Sequence, residues 1–189
     1  MRDPAATRTK LHDAALRLFV DQGIAETSIR DLAAAAGVAE GTLYRHYASK
    51  DALVADLFTS NYAAYAERID ALQRRHSGLR SKLQAMITDI CGLFDTDPYM
   101  FRFLLLVQHQ AMRFLKDDNA SPVAVMIRVM QEAVRRGELV HDDPRLAAAT
   151  VMGMVLQPAV FLIYERLDPP LARYTAGIIR TAERALGLS

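Results

Sequence analysis

The chain has 189 residues, of which 51% are apolar and 24% charged, and its formal net charge is +1. That length holds one or two domains with a normal core, and the near-neutral balance excludes attraction to a polyanion by bulk charge alone. No run approaches the roughly 18–20 apolar residues of a membrane helix, the opening MRDPAATRTK lacks a secretory h-region, and a lone Cys91 permits no internal disulfide, which suits a reducing cytoplasm.

Apolar spacing predicts helices throughout. The first runs from about Thr7 to Gln22, turns Leu11, Ala15, Leu18 and Phe19 inward, and stops at Gly23. The second starts at Thr27 or Ser28, where Ser28 and Asp31 form a capping pair. Gly37 suits the left-handed conformation that ends it. A third helix, from about Ala39 to His46, buries Leu43 and carries Glu40, Thr42, Tyr44, Arg45 and His46 on its other faces, with Lys50 just beyond. Two short helices joined by a tight turn, the second bearing hydroxyls and cations, have the layout of a helix-turn-helix whose second helix enters the DNA major groove.

The fourth helix covers about residues 49–76, roughly 40 Å at ~1.5 Å per residue. Beyond Gly78, the pairs Asp97-Pro98, Ser121-Pro122, Asp143-Pro144 and Asp168-Pro169 each set a capping residue before a proline, a helix-start signal. They predict helices at 79–95, 98–115, 122–136, 144–166 and 170–187. Pro158 predicts a kink near Gly153–Gln157. The fold class is all-α with nine helices.

The run GVAEGTLYRHYASKDAL, from Gly37 to Leu53, closely resembles the TetR (tetracycline-repressor-like) family of bacterial transcription regulators. It matches the family's G-V-x-x-G-T-[LI]-Y-x-[HY]-[FY]-x-[ST]-K-x-x-L pattern, and LHDAALRLFVDQGIAETSIRDLA upstream matches its first helix and the start of its second. The resemblance implies a nine-helix TetR-like fold. Residues 1–48 would form the helix-turn-helix DNA-binding domain and residues 49–189 a helical ligand-binding and dimerisation domain, with helix 4 as the connector.

The expected DNA-facing residues are Thr27, Ser28, Arg30, Glu40, Gly41, Thr42, Tyr44, Arg45, His46 and Lys50. Tyr44 and Lys50 would meet phosphates, Gly41 would permit close approach, and Thr42 suits a phosphate or a base edge. Arg45 and Arg30 could read guanine, because a guanidinium bonds O6 and N7 together. Tyr47 is expected to pack against helix 4. Residues 1–60 hold seven Lys and Arg against eight Asp and Glu, a formal −1, so placed contacts must carry affinity. Ala39 stands where the family often has serine, leaving helix 3 without a side-chain cap. Glu40 either accepts from a cytosine amine or pairs with a nearby arginine.

The C-terminal part is rich in Met and Phe. Such stripes are usually core, but the resemblance implies a pocket for a small, largely hydrophobic effector, and Met-rich walls deform readily. The candidate pocket residues are Phe94, Phe103, Val107, His109, Met126, Met130, Met154, Gln157 and Phe161, with Gln108 beside His109. Candidates for a two-helix dimer face are Ala148, Val151, Met152, Val155, Ala159, Ile178, Ile179 and Ala182. One helix-turn-helix reads too little DNA for high specificity. Two copies about a two-fold axis would read a palindrome, their recognition helices about 34 Å apart.

No nucleophile elbow, phosphate loop, dinucleotide fingerprint or H-E-x-x-H occurs. His141-Asp142-Asp143 hints at a metal, yet Asp143 is needed as a cap before Pro144. Neither catalysis, metal, cofactor nor membrane partner is expected. The sequence therefore reads as a cytoplasmic homodimeric regulator, a repressor by expectation, that binds a palindromic operator in double-stranded DNA and is released by a hydrophobic effector. The alternative is a helix-turn-helix regulator without an effector, controlled by a protein partner or by abundance.

Overall fold

The computed structural model describes residues 4–111 and 121–188, with Pro4 and residues 108–111 described by backbone alone. Among the described residues it is helical, with no strand. The helices are α1 (Pro4–Asp21), α2 (Ile29–Ala35), α3 (Glu40–His46), α4 (Lys50–Arg74), α5 (Leu79–Thr96), α6 (Pro98–Ala111), α7 (Pro122–Arg135), α8 (Pro144–Ile163) and α9 (Thr175–Ala185).

They divide into two compact units. Among the described residues the first comprises 4–61 and 99–111, the second 62–98 and 121–188. The first twelve residues of α4, to Asn61, thus belong to one unit and the rest to the other. In the first unit Leu11, Phe19, Leu32, Leu43, Leu53, Leu57 and Phe58 are completely or almost completely buried. Phe103 of α6 stacks on Phe19, with ring centroids 6.0 Å apart, and Arg17 lies over the Tyr99 ring. In the second unit α7 and α8 pair closely, and α5 packs against α8 and α9.

The punctuation read from the sequence mostly operates as expected. The Ser121 side chain accepts from the Ala124 N–H at 3.0 Å, and Asp143 accepts from the Arg145 N–H at 2.8 Å. Gly37 has φ +65°, the left-handed value that lets α2 end in a tight turn. The Asp168-Pro169 signal fails. A 3-10 turn over Leu171–Tyr174 precedes α9, which starts at Thr175. Its first N–H groups are met by a residue remote in sequence, since the Asp95 carboxylate accepts from Leu171 N and Ala172 N, both at 2.8 Å.

Helix α8 corrects the expectation about apolar runs. An 18-residue stretch of this 20-residue helix reaches a mean hydropathy of 2.0, enough by length and composition to cross a membrane, yet only 33% of that stretch is buried. Its inner residues Ala147, Val151, Val155 and Ala159 are packed away, while Leu146 and Phe161 are exposed. A helix apolar all round that is covered on one side only still has a face to bury.

Candidate nucleic-acid interface and effector cavity

The first unit presents α3 on a braced scaffold. Ser28 caps α2 reciprocally: its hydroxyl accepts from the Asp31 N–H at 3.1 Å, and the Asp31 carboxylate accepts from the Ser28 N–H at 3.0 Å. These bonds hold Asp31 below the usual carboxylate range. As expected, Ala39 gives α3 no side-chain cap. Leu43 is fully buried and anchors the helix from beneath.

The opposite face is open. Tyr44 is 54% exposed. A Cβ built on Gly41 meets nothing within 4 Å, so the helix surface there is flush. Arg45 donates to the Thr42 hydroxyl at 3.0 Å, holding both side chains on one patch. Arg30, Ser28 and Glu40 are exposed, and His46 is half-buried. Glu40 makes no ion pair among the described residues, so the arginine pairing raised from the sequence is not formed among them.

Two residues expected at the DNA face have partners within the chain. Thr27 is completely buried, and its hydroxyl donates to Gly23 O at 2.7 Å. The Lys50 ammonium donates to Ile24 O at 2.6 Å, Thr27 O at 2.9 Å and Ala25 O at 3.3 Å. It neutralises converging carbonyls of the α1–α2 loop, an arrangement that becomes visible only once that loop is folded. Lys50→Met should therefore lower stability by about 1.5–3 kcal/mol, the usual worth of hydrogen bonds to a charged group. Urea unfolding measures this; unchanged stability would return Lys50 to the role of a free phosphate-binding cation.

The C-terminal end of α3 is tied down through one carboxylate. Tyr47, its capping residue, donates its hydroxyl to Asp56 Oδ2 at 2.7 Å. Arg8 grips Asp56 with Nη2 at 2.7 Å from Oδ1 and 2.8 Å from Oδ2. His12 Nε2 lies 2.8 Å from the Tyr47 oxygen and 3.2 Å from Asp56 Oδ2. Helices α1, α3 and α4 thus meet at Asp56. The packing of Tyr47 against α4 was legible in the sequence, but the polar cluster was not.

Burial pushes Tyr47 up to about 12, and burial lowers His12 despite the opposing pull of Asp56. Burial also works to raise Asp56, but hydrogen bonds from Tyr47 and Arg8 outweigh it and leave Asp56 below its ordinary value. Both shifts have one consequence. A histidine lowered in the fold takes its proton more readily when unfolded, so stability declines as pH falls below the ordinary value of 6.5. The stability due to the lowered carboxylate is present above the unfolded Asp value and disappears as pH falls through the folded one. Asp56, Arg8 and Asp13 are the charged groups acting on His12, and Arg8 opposes its protonation; the Tyr47 hydroxyl lies beside its ring. The melting temperature should therefore drop in two stages between pH 7 and 3. His12→Gln should remove the upper stage only; an unaltered upper stage counts against this assignment.

The second unit holds a small apolar cavity. Tyr65 and Ile69 of α4, Met86, Ile87 and Ile90 of α5, Pro122 and Met126 of α7, and Met152, Val155 and Leu156 of α8 line it, around about 50 Å³ of free space. Of the expected pocket residues only Met126 is among them. Phe94 and Met130 are buried elsewhere in that unit, and Phe103 and Val107 belong to the first unit, Phe103 against Phe19. The side chains of Gln108 and His109 lie outside the described residues. Met154 and Gln157 instead line an outer groove of about 590 Å³ between α8 and α9, shared with Gly153, Arg173, Gly177 and Arg180. Phe161 is 43% exposed.

The expected dimer residues need the converse correction. Ala148, Val151, Val155, Ala159, Ile178 and Ala182 are buried within the chain itself, and Met152 faces the cavity. Ile179 is half-buried. Because α8 is apolar around its circumference, periodicity cannot separate its inner face from its outer one. The exposed stripe is Leu146, Thr150, Gly153, Gln157, Phe161 and Tyr164, at the three-to-four-residue spacing of one helix face.

An open recognition helix on a braced three-helix base defines a helix-turn-helix DNA-binding protein. The family model for bacterial regulatory proteins of the tetR family matches residues 11–57. The chain is 35% identical over 158 residues to the proposed mycofactocin biosynthesis transcriptional regulator MftR of Mycobacterium tuberculosis, covering 82% of this chain and 79% of that protein. It is 29% identical over 154 residues to the HTH-type transcriptional repressor KstR2 of Rhodococcus jostii, covering 74% and 72%. Its fold matches the fatty acid degradation regulator FadR of Bacillus halodurans, with TM-score 0.83, 16% identity and 96% of each chain covered. It also matches FadR of Bacillus subtilis in complex with stearoyl-CoA, with TM-score 0.76, 18% identity and coverage of 92% and 96%. The chain belongs to the TetR family and is a DNA-binding transcriptional regulator.

Proposed function

We propose that the chain works in the bacterial cytoplasm as a homodimeric repressor. It binds a palindromic operator through α3 and leaves it when a small, largely hydrophobic effector enters the second unit. The observation that carries this reading is the open face of α3, with Tyr44, Gly41, Thr42 and Arg45 exposed or near the surface above a fully buried Leu43. Arg30, Ser28, Glu40 and His46 complete the DNA-facing set.

The outer stripe of α8, with Leu146 57% and Tyr164 65% exposed, supports pairing of two copies through α8 and α9. An exposed apolar patch of this kind marks an interaction surface. Support for an effector comes from the apolar, methionine-lined cavity, and the Bacillus subtilis relative was solved with stearoyl-CoA bound. Helix α4 contributes Tyr65 and Ile69 to the cavity wall and, in its first half, Asp56 to the polar cluster behind α3. An effector that favours one tilt of α4 would change the spacing of the two recognition helices and weaken DNA binding.

Titration of compounds into a labelled protein–operator complex tests the response. Release of DNA with the dimer intact is the expected result. Retention against every hydrophobic compound class would favour control by a protein partner or by abundance.

A further inference from the structure

We infer that the Tyr47 hydroxyl, seated on Asp56, is a positioning group for sequence discrimination. It fixes the tilt of α3 and so places Arg45 for reading bases, without touching DNA itself. This rests on α3 as the DNA-reading helix and names what holds that helix in register.

Helix α3 has few means of holding itself. Its 7 residues span about 10 Å at ~1.5 Å per residue, and so short a helix is unstable alone. Its start lacks a side-chain cap, because Ala39 has no oxygen to offer. Its placement therefore comes from the inward face, where Leu43 and Tyr47 lie one turn apart. Leu43 is completely buried and Tyr47 only 7% exposed. Apolar packing at Leu43 is non-directional and lets the helix rock about that point. Tyr47 adds the direction.

The chain leaves the helix at Tyr47, whose φ of −138° is extended, so this side chain is the last hold on α3. Its hydroxyl donates to Asp56 Oδ2 at 2.7 Å. The acceptor is itself fixed, since Arg8 Nη2 grips both carboxylate oxygens and Arg8 Nε lies 3.2 Å from Oδ2. A carboxylate held by a rigid guanidinium fork cannot follow a displaced phenol without losing one of these bonds. Arg8 Nε at 3.3 Å and His12 Nε2 at 2.8 Å also approach the Tyr47 oxygen, so α1 and α4 locate it together. Base reading is the contact most sensitive to tilt, because a guanidinium has to meet two acceptors of one guanine at once. Phosphate contacts carry no base information and have several oxygens within reach. Loss of the hydroxyl thus erodes discrimination before it erodes general affinity.

Two probes test this on the full-length protein: the duplex that the wild type selects from a random pool, and a scrambled duplex of equal length. Stoichiometric titration sets the active concentration of each variant. In Tyr47→Phe, which keeps the ring, preference for the selected duplex over the scrambled one should fall about tenfold. Affinity for the scrambled duplex, and its dependence on salt, should not change. Two further variants separate positioning from stability. Asp56→Asn keeps an acceptor for the Tyr47 hydroxyl but loses the charge that Arg8 holds, so its melting temperature should fall while preference is retained. Asp56→Leu loses both, and its preference should fall as in Tyr47→Phe. Unchanged preference in Tyr47→Phe, a parallel fall of both affinities, or equal loss of preference in Asp56→Asn and Asp56→Leu overturns the inference. If Asp56→Leu does not fold, Tyr47→Phe against Asp56→Asn decides alone. A wild-type protein that prefers no duplex over the scrambled one removes α3 as the reading helix, and this inference with it.

Discussion

Gly153→Glu is expected to turn the dimer into a monomer and to reduce operator affinity at least about 100-fold, since two linked half-site contacts become one. Gly153 is exposed on the outer face of α8, and a Cβ there meets nothing within 4 Å in its own chain. The substitution costs the folded subunit no space and removes a helix-interior glycine, worth roughly 0.5–1 kcal/mol in favour of the fold. Its damage must therefore come from the second copy, where a carboxylate would be buried without a partner. Val151→Ala is the contrast. That side chain is completely buried in its own chain, so its loss should cost about 2 kcal/mol of stability without splitting the dimer. Sedimentation velocity and operator titration on both variants separate the two faces of one helix. A dimeric Gly153→Glu protein would place the interface elsewhere.

Tyr44→Ala should weaken operator binding about 30- to 150-fold while leaving the melting temperature unchanged. One hydroxyl–phosphate hydrogen bond is worth about 1–1.5 kcal/mol, and the dimer loses it twice, about 2–3 kcal/mol in all. At 54% exposure Tyr44 contributes little to the core, so the loss is one of binding. The weakening should be uniform across sequences, because a phosphate contact carries no base information. Arg45→Ala should differ in kind. A guanidinium reading guanine discriminates by about 1–3 kcal/mol per contact, so its removal should relax preference at one base pair in each half-site. Fluorescence anisotropy on the operator and on its single-base variants measures both. A large fall in melting temperature for Tyr44→Ala would assign the residue to packing.

The local rules of the sequence transferred well wherever neighbours in sequence were also neighbours in space. Ser28 and Asp31 cap α2, Gly37 ends it, Ser121 and Asp143 start α7 and α8, and Leu43 anchors α3. Failures occurred where a group's partner was distant. The carbonyls that receive the Lys50 ammonium belong to residues 24–27, and nothing around Lys50 in the sequence announced them. The first N–H groups of the 3-10 turn are met by Asp95, 76 residues before Leu171. Nothing in the spacing of Arg8, His12, Tyr47 and Asp56 indicates that the first three side chains converge on the carboxylate of the fourth.

Helix α8 failed for a different reason. A helix apolar all round has no moment to orient it, so residues assigned to the dimer face turned inward, and Gln157 and Met154, assigned to the pocket, turned outward.

The most direct test of the central claim is selection of bound duplexes from a random-sequence pool by the full-length protein. Enrichment of an inverted repeat, with half-site centres about one helical turn apart, and relaxed preference at one base pair of each half-site with Arg45→Ala, is the predicted result. Failure to enrich any sequence, or an enriched sequence that is the same for Arg45→Ala, would contradict it.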